Sequence, residues 1–161
     1  GSDTWLMIDA GARLALDMTD AGFPSTYLAS PEQVDGIIET LMTHLCVARV
    51  DAIVIEVGDG LFQRETAALL DSKTFVKTVD GIILAAADAM SAVCGVESLA
   101  RKKLPIIALG GHLIDSPLAA METVNAIGLP LLDRAALGSS DIVNTLQIPL
   151  QENIDHIQAA S

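Results

Sequence analysis

The stretch from Asp51 to Leu70 constrains the fold more than any other part of the chain. Ala52 to Val57 has the β-branched, apolar make-up of a strand buried on both faces. One acid, Glu56, interrupts it near its C-terminal end. A Gly58-Asp59-Gly60 turn follows, and the pattern predicts a helix over Phe62–Leu70 with Gln63, Arg64, Glu65 and Thr66 at its start. The same order recurs downstream. Gly81–Ala87 and Pro105–Leu109 are further apolar runs, followed by helical patterns from Asp88 to about Lys103 and from Ser116-Pro117 to Gly128. Strand and helix in alternation mean βαβ units with right-handed crossovers. The expected fold is a single three-layer α/β/α domain over 1–161 with a mostly parallel, Rossmann-like sheet.

Local signals place the remaining elements. Ser30-Pro31-Glu32-Gln33 is a helix start, with Ser30 as cap, Pro31 in the first helical position and Gln33 able to complete a capping box. Val34, Ile37, Ile38, Leu41, Met42 and Leu45 then fall on one face of a helix. Trp5–Ile8 reads as a short strand, Arg13–Asp20 as a strand or a helical turn, and 21–26 as a loop. Lys73–Val79 reads as a short helix and Leu129–Leu132 as a last strand. The tail from Ser139 to Ala160 reads as one or two helices broken at Pro149.

The core must be built from Ala, Leu, Ile and Val, because 51% of the residues are hydrophobic but aromatics are few. That composition suits helices packed on a parallel sheet. A formal net charge of −12 argues against binding nucleic acid or an anionic membrane through general electrostatics. Arg101-Lys102-Lys103 is the one local basic run, and it reads as a solvated helix end. Cys46 and Cys94 show no metal spacing and read as small core residues, so a reducing cytoplasm is expected. No apolar run has the roughly 18–20 residues that cross a bilayer, and no signal-peptide pattern opens the chain. Gly1-Ser2 reads as a cloning scar, which leaves room for a longer native chain. The alanine-rich helices over 85–100 and 117–128 suit either the core or the interface of a homo-oligomer.

In open α/β sheets, ligands bind beyond the C-terminal ends of the strands. Glu56 sits at such an end, where a buried carboxylate needs a partner or a metal. It is either a Mg²⁺ ligand or half of an ion pair with Arg64. Asp59 either shapes the glycine turn or supplies a second metal contact. Arg64 stands in a helix's first turn, where a cation is disfavoured, so it pairs with an acid or faces an anionic ligand. Glu65 is accounted for by the helix dipole alone. Between Asp17 and Tyr27, Asp17 and Asp20 are candidates for metal support and Ser25, Thr26 and Tyr27 for substrate contact, the alternative being an ordered loop that leads to the Ser30 cap. Gly110-Gly111-His112 lies after another strand, with His112 a candidate base or ligand contact. Asp88 is the expected cap of its helix.

Asp51–Glu56 and the glycine loop after it resemble the Walker B strand of dethiobiotin-synthetase-like P-loop proteins. The order that follows, Asp80–Ala87, a helix, Lys103–Gly111 and a Ser-Pro helix, is also similar, and the resemblance covers most of residues 5–133. It implies Mg²⁺ near Glu56, ATP as the nucleotide, and base contacts at Gly110, Gly111 and His112. The sequence departs from that family in having no Gly-x-x-x-x-Gly-Lys-Ser/Thr, the loop that holds phosphates. The expectation is therefore a nucleotide- and Mg²⁺-binding domain that is incomplete for ATP hydrolysis by itself. The alternative is a non-catalytic α/β domain that binds a small ligand or a protein partner.

Overall fold

The computed structural model of the chain describes residues 2–146. Two compact units fall within this span, one ending at Thr78 and one running from Val79.

The first unit is helical. Helix α1 spans Ser2–Asp9, where a strand is expected at Trp5–Ile8. The sequence carries the reason at its end. Gly11, at φ 100°, lets the Gly11 amide reach the Ile8 carbonyl (2.9 Å) and the Ala12 amide reach that of Met7 (3.0 Å). That pairing is a Schellman helix stop, for which glycine is the favoured residue. Helix α2, Pro31–Val47, follows its sequence signals. Ser30 and Gln33 form the capping box, and Val34, Ile37, Ile38 and Met42 are buried. Helix α3 is Arg64–Asp71 and α4 is Lys73–Thr78, and both pack on α2. Leu70 and Phe75 join the α2 face in the core of this unit.

The segment Ala52–Val57 forms no strand. Ile53 and Ile55 are half-buried, while Val54 is 87% exposed and Glu56 is exposed. A strand is stable only when a neighbour takes up its N–H and C=O groups, and none does so here among the described residues. Phe62 likewise stays outside α3, which begins two residues later than expected.

The second unit carries the sheet. Strands β1 (Ile82–Ala85) and β2 (Ile106–Gly110) pair in parallel, and helix α5 (Ala89–Arg101) crosses between them. This is the βαβ unit that the alternation predicts. Helix α6 spans Pro117–Ile127, capped by Ser116 and stopped by left-handed Gly128. The expected strand Leu129–Leu132 is reduced to one parallel bridge between Leu109 and Leu131. Leu84, Leu99, Leu104, Leu109, Leu113 and Leu132 make the core. The chain is thus mixed helix and strand. Among the described residues its sheet has two strands, and a full three-layer Rossmann-like sheet is not formed.

Short helices α7 (Arg134–Leu137) and α8 (Ile142–Leu146) close the described chain. The predicted tail from 147 to Ala160, with its break at Pro149, lies outside the described residues. Neither cysteine is a core residue, since Cys46 is half-buried and Cys94 exposed. No helix among the described residues is long and apolar enough to cross a membrane.

Candidate functional site

The sequence candidates Thr26, Glu56 and Asp59 line one cleft of about 360 Å³ in the first unit. Gln63, Glu65 and Thr66 complete its polar wall, and Met18, Val34 and Leu69 supply apolar surface. Among the described residues that line it, none is Lys or Arg.

The polar wall is built by the start of α3. Gln63 is the helix cap, and its Oε1 accepts the amides of Glu65 (2.8 Å) and Thr66 (2.9 Å). Its Nε2 donates to Glu65 Oε2. Glu65 Oε1 accepts the amide of Leu28 at 2.6 Å. Glu65 is only 6% exposed. Burial pushes its carboxyl upward, but hydrogen bonds from its own amide, from the Leu28 amide and from Gln63, with the charge of Arg64, hold it below the ordinary range.

Arg64 is exposed and does not pair with Glu56. Its guanidinium donates to the carbonyls of Ala29 (3.2 Å) and Leu28 (3.5 Å). The sequence identifies a misplaced cation correctly but not what holds it: backbone oxygens at the end of the preceding loop replace both the acid and the ligand. The expectation of Glu56 as a buried strand-end acid is corrected as well, because Glu56 is exposed and its segment pairs with no strand among the described residues.

Asp20 shapes a turn. Its Oδ2 accepts the Asp17 amide at 2.9 Å, and Asp17 Oδ1 accepts the Thr19 amide at 2.8 Å. The Thr19 hydroxyl is the main cause holding the Asp17 carboxyl below its usual range. That turn brings Met18 to the cleft, while Asp20 itself is not on its wall.

Gly110, Gly111 and His112 belong to the second unit. Gly111 has φ +93°, and a Cβ there would come within 2.6 Å of the Ala86 carbonyl oxygen. Only glycine lets β2 leave the sheet at this point. His112 Nδ1 lies 3.0 Å from Asp115 Oδ2, with the two side chains 91% and 78% exposed. Asp88 is the cap of α5, as its position predicts, and the Ser91 amide and hydroxyl hold its carboxyl low.

A second cleft of similar size, about 370 Å³, is lined by Pro31, Glu32, Asp35, Ser72 and Lys73 among others. Two of its acids are engaged: Glu32 accepts the Ser30 hydroxyl at 2.7 Å and Asp35 accepts that of Ser72. None of the sequence candidates lines it.

The oxygen donors of the first cleft match Mg²⁺, which keeps several waters and binds through one or two carboxylates plus phosphate. Glu65 is already occupied by Leu28 and Gln63, which leaves Glu56 and Asp59. Among the described residues no three His, Cys, Asp or Glu side chains come together as an all-protein metal cage.

No family model matches the chain, and no curated protein and no solved structure matches it significantly.

Proposed function

We propose that the cleft of the first unit is the magnesium wall of a nucleotide site in a P-loop NTPase-like protein, incomplete for hydrolysis without a Walker A loop. The observation that carries this reading is the meeting of Glu56 and Asp59 with Thr26, Gln63 and Thr66 around one cleft. Glu56 and Asp59 would hold the ion through water, and the ion would neutralise phosphate charge. The hydroxyls and the Gln63 amide offer hydrogen bonds to the remaining oxygens. With no Lys or Arg among the described residues of the wall, none of them balances a bare triphosphate. Binding of ATP must then depend on Mg²⁺.

Thermal unfolding with Mg²⁺ alone, ATP alone and both together tests this. A ligand at about 100 times its dissociation constant adds roughly 2.7 kcal/mol, a rise of roughly 5–11 °C for a chain of this size. The rise is expected only with Mg²⁺ and ATP together, and Glu56→Gln with Asp59→Asn should abolish it. A rise with ATP alone, or one that survives both substitutions, rejects the assignment.

The engagement of Arg64 by backbone carbonyls favours a second reading, a non-catalytic domain that binds a small ligand or a partner. On that reading Mg²⁺ and ATP leave the unfolding temperature unchanged, and Arg64→Ala only loosens the loop it holds.

A further inference from the structure

Leu28 is one of three non-glycine residues with positive φ among the described residues, at 61°. A leucine is disfavoured in the left-handed region, and such strain persists only where surrounding contacts over-determine it. Part of the hold is local, with the Ala29 amide on the Thr26 carbonyl (3.0 Å) and the Tyr27 amide on Ser25 Oγ (3.0 Å), and the rest comes from the start of α3. Glu65 Oε1 takes the Leu28 amide, Arg64 takes the Ala29 and Leu28 carbonyls, and Gln63 Nε2 fixes the other Glu65 oxygen. Three consecutive residues at the start of α3 thereby grip the end of the loop that carries Thr26. Thr26 and Glu65 both border the cleft, so the grip and the wall share a side chain.

We infer that Glu65 is the positioning residue of this cleft: its buried carboxylate holds the 25–29 loop in the strained conformation that puts Thr26 on the wall. The inference rests on the cleft being a ligand site, as proposed above. Its chemistry is directional. Glu65 must accept on both oxygens, from an amide N–H on one side and the Gln63 amide on the other. Glutamine at 65 offers one acceptor and one donor, so it opposes either Leu28 N–H or Gln63 Nε2, and in either orientation Leu28 loses an acceptor that is charged and anchored on its far side. Exchanging the two residues restores the match. With Gln63→Glu and Glu65→Gln together, Gln at 65 accepts from Leu28 and donates to Glu at 63. That Glu still caps the helix amides.

Hydrogen exchange on the ligand-free full chain tests the latch. Glu65→Gln should speed exchange of the Leu28 amide by on the order of tenfold or more, the size of one lost bond to a charged acceptor. The amides of Ile37 and Ile38 in α2 should keep their rates, and the double exchange should return Leu28 to its wild-type rate. Equal acceleration at Ile37 and Ile38 would reduce Glu65 to a general contributor to stability and overturn the inference, as would an unchanged Leu28. Should Glu65→Gln fail to fold, the double exchange decides: wild-type protection of Leu28 upholds the latch and its loss rejects it. Binding of Mg²⁺-ATP to the wild-type chain is scored separately. Failure there removes the cleft as a nucleotide site, whereas failure of the exchange pattern removes only the latch.

Discussion

Glu65 shows how a residue's chemistry changes once its neighbours are known. By position it is an acid in a helix's first turn, and the helix dipole accounts for it. In the fold it is buried, and its carboxylate accepts two hydrogen bonds, one from a residue 37 positions away and one from a residue two positions away. Nothing local in the sequence marks Leu28 as its partner. The clue that was legible is Arg64, the cation in the wrong place, and it points to the same junction. The ionised carboxyl has consequences for stability. Its folded value lies below its unfolded one, so its contribution is fully present above the unfolded carboxyl range. That contribution fades as pH falls through the folded value. Asp17, Glu32 and Asp88 are shifted in the same direction. Urea unfolding from pH 7 down to pH 3 should therefore show stability falling below about pH 4.5. Glu65→Gln should lose part of that pH dependence. A variant as acid-sensitive as wild type would mean that the fold does not lower the Glu65 carboxyl below its unfolded value.

At the scale of elements, helices were legible where their ends are written in local chemistry. Ser30, Asp88 and Ser116 cap the helices they precede, and Gly128 stops α6, because a cap needs only residues within one turn. The miss at α1 has the same logic. Gly11 is a helix stop, and without that stop Trp5–Ile8 has only the apolar make-up of a short strand. Two left-handed glycines now make a contrast that sequence does not. Gly128 has φ +75° and open space where a Cβ would go, while Gly111 has φ +93° and the Ala86 backbone in the way. Gly128→Ala should cost roughly 1–2 kcal/mol, the backbone penalty alone. Gly111→Ala adds a clash with immovable main chain and should cost roughly 3 kcal/mol or more. Denaturant midpoints of the two variants, compared with wild type, check this. Equal losses would show that the turn after β2 yields to the added methyl.

Strands are the elements whose existence is decided at the scale of the whole molecule, because each needs another stretch of chain beside it. β1 and β2 have that in one another, and their apolar runs were read correctly. Ala52–Val57 has an equally apolar composition and no partner among the described residues, so composition could not separate the two cases. Its side chains do: Val54 is 87% exposed, whereas Leu109 of β2 is fully buried. The same contrast explains why the candidate site was only half legible. Glu56, Asp59 and Thr26 do share a cleft, but they meet there through the approach of a loop and the start of α3, not at the end of a sheet. Two substitutions distinguish a buried strand at 52–57 from the arrangement described here. Placing an unpaired charge in a sheet interior costs several kcal/mol, so a buried Val54 would make Val54→Lys as damaging as a core truncation. In the exposed segment the same change should shift stability by no more than about 0.5 kcal/mol. Leu109→Ala, which empties a site in the core of the second unit, should cost roughly 2–5 kcal/mol. Chemical unfolding of both variants gives the comparison. A Val54→Lys loss that approaches that of Leu109→Ala would mean that the segment is buried as a strand in solution, and that Glu56 stands at a sheet edge after all.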